Sequence, residues 1–201
     1  MINYIKKLFY SDALNTIIKI NIVVYIIQCL ILLVSTDVYN CYILLFSLHS
    51  DFLYDIMIPL KFITHGFIHN DISHIVGNII TILLNYWIFA KIKDYKIWFI
   101  YIISVLFSGL SYIIFINLCR MDSSILLGSS GAISGLLTYS YLIYNKKIIF
   151  DLEMKHILFL YLVSNIFSLF VDKTIGTGIA HLSGMFIGYL FYLCDNKKGL
   201  I

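Results

Sequence analysis

The 201-residue chain has little charge, little proline and almost no glutamate. Charged side chains make up 12% of it, against 61% apolar, and mean hydropathy is +0.93. Ordinary soluble domains carry about a quarter charged residues, so a soluble fold is excluded and a polytopic membrane protein is expected. Pro59 is the one proline, and polar stretches are short, which leaves no room for a linker or a second soluble domain. The chain therefore reads as a single membrane domain over 1–201, with no internal repeat and no low-complexity tail. Glu153 is the one glutamate, so the HExxH pattern of zinc peptidases cannot occur. Cys29, Cys41, Cys119 and Cys194 are scattered without CxxC spacing and read as packing residues.

Apolar runs of span length are what the chain does have. They predict an all-α protein of six spans, roughly 16–35, 72–90, 97–117, 130–145, 156–171 and 178–195. The first run is span-length and lacks an A-x-A cleavage site after it, so it reads as a span and not a cleavable signal. With the N-terminus inside, eleven of the fourteen basic residues lie on inner segments. Only Lys61, Arg120 and Lys173 lie outside. The positive-inside rule then predicts both termini in the cytoplasm. The net charge of +3 is accounted for by these flanks and calls for no nucleic acid. The fourth run is short, about 24 Å of helix against a core of about 30 Å. Its N-terminus is expected to begin inside the membrane, where free N–H groups must line protein or a wet cavity.

Polar residues within spans are costly and are functional candidates by default. The stretch LLGSSGAISGLL, residues 126–137, packs three glycines, three serines and an alanine into Gly128–Gly135. THGFIHNDISHIVGN, residues 64–78, carries His65, His69, His74 and Asn78. GIAHLSGMFIGYL, residues 178–190, carries His181 with Gly184 and Gly188. All three open spans running in the same direction, so Ser130, His181, His74 and Asn78 are expected at one depth, in the outer half of the membrane. A serine nucleophile needs a base in reach and donors aimed at the oxyanion. Ser130 and His181 suit the first two roles, and the Ser130 N–H, His74 and Asn78 the last. Blander readings stand beside this one. The Gly131/Gly135 and Gly184/Gly188 steps serve close helix packing. A membrane histidine is also found as a satisfied buried group, a proton relay or a ligand, and His65, His69 and His74 together suggest a metal. GSSGA is not a G-x-S-x-G elbow, because Ala132 replaces the last glycine. Tyr86, Trp87, Trp98 and Tyr101 read as interface anchors, and His49 and His156 as loop residues.

Taken together, these segments resemble the rhomboid intramembrane serine proteases. Gly128-Ser129-Ser130-Gly131 matches the family's G-x-S-G motif. Ala180, His181, Gly184 and Gly188 match its A-H-x-x-G-x-x-x-G pattern, and His65, His69, His74 and Asn78 its second-span segment. The resemblance implies a six-helix rhomboid-like bundle of the minimal bacterial type in the cell membrane. It implies a Ser130–His181 dyad with His74 and Asn78 at the oxyanion. It further implies no cofactor or metal, and single-span transmembrane proteins cut near their outer membrane portion, so the site opens to the outer face. Two departures are visible. Leu60-Lys61 stands where the family often has Trp-Arg. Ser134 stands where an aromatic four residues after the nucleophile often stacks on the catalytic histidine. The competing reading is a catalytically silent relative that binds and escorts transmembrane clients. A transporter would call for paired charges at mid-membrane, which the sequence lacks.

Overall fold

A computed structural model describes residues 10–49, 56–119, 125–149, 152–171 and 175–197. Helix α1 (Asp12–Val34) is followed by α2 (Thr36–Phe46), a two-residue strand β1 (Leu48–His49) and α3 (Ile58–Thr64). Next come α4 (Ile72–Leu84), α5 (Tyr86–Phe89) and α6 (Asp94–Cys119). Strand β2 (Ile125–Leu126) precedes α7 (Ser130–Ile143); β3 (Lys147–Ile149) and β4 (Leu152–Glu153) lead to α8 (Met154–Ser168) and then α9 (Ile175–Lys197). The strands form two short antiparallel pairs, β1 with β2 and β3 with β4.

The all-helical expectation holds. Helices α1, α6 and α9 are long and apolar enough to cross a membrane, while α4 and α8 are shorter apolar helices. Helix α7 is 14 residues, about 21 Å long. Every residue from Gly131 to Ser140 is buried, so α7 is the axis of the bundle. Its small residues set the packing. A Cβ on Gly184 would fall on the Gly131 carbonyl, and one on Gly188 on the Gly135 carbonyl. Backbones of α7 and α9 therefore touch directly, as small-xxx-small steps allow. On its other side α7 meets Ser104 and Ser108 of α6, whose hydroxyls crowd Gly135 and Gly131. Large apolar side chains on the outer faces stay exposed, including Leu33, Val34, Leu84, Phe159 and Phe167. These faces match a lipid surround, and the chain is a multi-pass membrane protein.

Several expectations need correction. The second span, expected as one helix over 72–90, breaks at Asn85. The Asn85 amide donates to the Thr81 carbonyl and accepts from the Tyr141 hydroxyl, and such local bonds compete with the helical ladder. Tyr101 is no interface anchor, being fully buried, and the Tyr86 hydroxyl accepts from the Ser11 N–H and donates to Asn15. His49 lies in β1 opposite Ile125, not in a loop. His156 lies in the first turn of α8, where its Nδ1 accepts from the Glu153 N–H in a capping box. Cys41, Cys119 and Cys194 face outward instead of packing inside. Lys61 is buried, and its ammonium donates to the Leu44 carbonyl at 2.6 Å. There it satisfies a carbonyl at the end of α2 that the helix leaves open. Of the basic residues in the orientation count, Lys6, Lys7, Arg120, Lys173 and Lys198 lie outside the described residues.

Farther along α7 and α9, a polar latch closes the bundle. Lys96 of α6 pairs with Asp195 of α9 at 2.6 Å, and the Tyr139 hydroxyl of α7 donates to the same carboxylate. The latch fixes three helices about 13 Å along α7 from Ser130.

Candidate active site

Three helix starts converge beside α6. Helix α4 begins at an Asp71 N-cap whose carboxylate accepts from the His74 N–H at 2.9 Å. The Ser73 hydroxyl, the His74 N–H and Asn70 hold this exposed carboxyl down at about 2. The cap places His74 in the first turn, with its ring over Gly128. A Cβ at Gly128 would lie 2.6 Å from His74 Nε2, and Gly128 has φ +110, so glycine is required twice over. The Gly128 N–H donates to the His65 carbonyl at 2.8 Å, fixing the loop that leads into α7.

The two adjacent serines face different surroundings. Ser129 is buried, with its hydroxyl 3.4 Å from His69 Nε2. Ser130 is the first residue of α7 and lines a cavity of about 30 Å³ together with His74, His65, Ser108 and Gly128. That is room enough for a water molecule. As the first helical residue, Ser130 carries an N–H without an intrahelical acceptor.

His181 lies in the second turn of α9, opposite. The Ser108 hydroxyl donates to the Ala180 carbonyl at 2.8 Å, and that carbonyl is 3.1 Å from where a Gly131 Cβ would stand. The chain neighbours of Ser130 and His181 are thus in contact. No hydrogen bond joins Ser130 to His181 among the described residues. Instead His181 Nδ1 is 2.6 Å from Asn165 Oδ1 on α8, and Nε2 is buried without a partner. The Tyr161 ring lies 6.0 Å from the His181 ring, tilted by 32°.

Asn78 stands one layer back from the cavity. It is buried and its Nδ2 donates to His69 Nε2 at 2.9 Å, which leaves the second of its two amide hydrogens free of that bond. Gln28 of α1 clamps the His69 backbone from both sides, Nε2 donating to its carbonyl and Oε1 accepting from its N–H. His65 Nε2 donates to the Val105 carbonyl at 3.2 Å. Among the described residues no group of three His, Cys, Asp or Glu side chains is gathered to hold a metal ion. Among the described residues Ser134 makes no hydrogen bond with His181. Its hydroxyl meets the Ser130 carbonyl at 2.8 Å and the Tyr161 hydroxyl at 2.7 Å.

Asn165, Tyr161 and Gln28 are absent from the sequence-based site. Their signal was an amide or hydroxyl inside an apolar run, the same signal that singled out Asn78.

No curated protein matches this chain. Residues 59–197 match the family described as Rhomboid domain, which includes intramembrane serine proteases as well as inactive homologues. That stretch contains the three convergent helix starts and well over half of the sequence, and the chain belongs to the rhomboid family.

Proposed function

We propose that this protein is an intramembrane serine endopeptidase that cuts transmembrane segments of single-span proteins with a Ser130–His181 dyad. The observation that carries the reading is His181 itself. Its Nδ1 is engaged by Asn165, while Nε2 is buried and unpartnered at the turn of α9 that packs on the start of α7. An unpartnered buried nitrogen is costly, and such groups are tolerated where chemistry uses them.

In the proposed reaction Ser130 Oγ attacks the scissile carbonyl carbon as its proton passes to His181 Nε2. The carbonyl oxygen becomes an oxyanion held by the Ser130 N–H, His74 and Asn78. Collapse breaks the C–N bond, and His181 returns the proton to the leaving amine. Water then attacks the acyl-enzyme, again deprotonated by His181, and the acid product leaves with Ser130 restored. The cavity has room for water but not for a peptide, so substrate enters as the surrounding helices part. The reading includes six crossings of the cell membrane, with α7 starting below the surface. Both termini face the cytoplasm, and the site opens to the outer face.

A fluorophosphonate probe tests this in detergent. Wild type, Ser129→Ala and Ser134→Ala should be labelled, and Ser130→Ala should not. Equal labelling of Ser130→Ala would overturn the assignment. A wild type that binds a substrate span but is neither labelled nor active would favour a silent escort.

A further inference from the structure

We propose that Asn165 is the positioning residue of His181, holding it in the Nδ1–H tautomer with Nε2 bare toward Ser130. The inference rests on the protease reading above. The Asn165 amide fixes the tautomer. One end of Asn165 is 2.7 Å from the Tyr161 carbonyl, which can only accept. That end must be Nδ2, so the end facing His181 at 2.6 Å is Oδ1, which also can only accept. His181 Nδ1 therefore carries the hydrogen. In the neutral ring Nε2 is then left with its lone pair, the form a general base requires.

Its surroundings hold Asn165 in place. It is 5% exposed, in the interior of α8. Gly178 of α9, three residues before His181 and on the same face, lets the helices close. A Cβ there would lie 3.1 Å from the Asn165 carbonyl and would fall on the Ser168 hydroxyl. Tyr161, one turn earlier on α8, walls His181 with its ring and reaches Ser134 of α7 with its hydroxyl. Hydrogen bonds thus run from the Ser130 carbonyl through Ser134 to the Tyr161 hydroxyl, and from the Tyr161 carbonyl through Asn165 to His181. The wall that Ser134 cannot supply comes from α8.

The test uses the full-length protein in detergent. Nitrogen-15 NMR of the wild type should show His181 protonated at Nδ1 and bare at Nε2; the opposite tautomer would overturn the inference whatever any variant does. Asn165→Leu and Asn165→Ala should lower kcat for a single-span substrate by about 10- to 100-fold, part of what a general base contributes. KM should stay within about twofold, and the His181 signals should show both tautomers. A purely structural asparagine would lower thermal stability and leave tautomer and kcat per folded molecule unchanged, which would also overturn the inference. Ser130→Ala is run alongside. If it is inactive while Asn165→Leu matches wild type, only the positioning role fails. If it remains active, the protease reading itself fails.

Discussion

A single methyl group at Gly184 should both loosen the bundle and disable the site. The Cβ of Gly184→Ala would fall on the backbone carbonyl of Gly131, with the carbonyl carbon 2.8 Å away. Neither group can rotate aside, so α9 must part from α7. Restoring ordinary contact opens a gap of about 1 Å, which forfeits a quarter to a half of each ~0.1–0.2 kcal/mol atom pair. Over roughly fifty pairs, as many as one buried leucine makes, the loss is about 1–5 kcal/mol. That agrees with the usual cost of overpacking, ~1–3 kcal/mol. The displacement falls between Gly131 and Gly184, beside Ser130 and His181. A misplacement of about 1 Å is enough to cost about 100-fold in rate. Gly77→Ala is the control, since nothing lies within 4 Å of its Cβ, and a helical Gly→Ala change gains about 0.5–1 kcal/mol. Thermal unfolding followed by circular dichroism, with cleavage of a fluorogenic single-span substrate, reads both effects. If Gly184→Ala melts with wild type and cleaves within twofold of it, the backbone contact between α7 and α9 is wrong.

Three further outcomes are expected. Asn78→Ala and His74→Ala should each lower turnover by about 10²–10³ while leaving Ser130 reactive to the probe, and wild-type rates would remove them from the oxyanion site. Because Asn78 also donates to His69, Asn78→Ala should cost more stability than His74→Ala in a melting experiment. The Asp71 cap predicts a pH effect. Its carboxyl is held at about 2 in the fold against 3.8 ordinarily. Its contribution is therefore full above about 4 and is lost as pH falls toward 2. The melting-temperature gap between wild type and Asp71→Ala should be constant near neutrality and close in that acid window. A gap that persists at pH 2 would show that the cap acts without its charge.

Much of this was legible in the sequence because membrane spans leave few places for polar atoms. The glycine pairs 131/135 and 184/188 marked the helix faces that touch, and they do so backbone to backbone. His74 and Ser130 were readable as helix-start residues because each follows a turn or loop into an apolar run, whereas α9 begins at Ile175, earlier than the expected 178, and puts His181 in its second turn. What was not legible depended on distant partners. The Asn85 break comes from its own amide together with Tyr141, 56 residues away. Tyr101 looked like an anchor because its neighbours are aromatic, yet its place is set by α1 and the Gly66 turn, whose carbonyl accepts from its hydroxyl. Lys61 counted as an outer charge, but its ammonium ends on a carbonyl of α2. Asn165 was overlooked because one amide in an apolar run carries no motif; only the fold brings it to His181.

The central claim is that Ser130 and His181 hydrolyse a peptide bond within the membrane. Its most direct measurement is cleavage of a purified single-span substrate in proteoliposomes, comparing wild type, Ser130→Ala and His181→Ala, each checked for folding by its melting curve. Wild type should cut the substrate within or beside its span, unaffected by a chelator, and both variants should bind the span without cutting it. Cleavage by folded Ser130→Ala or His181→Ala at the wild-type rate would contradict the account.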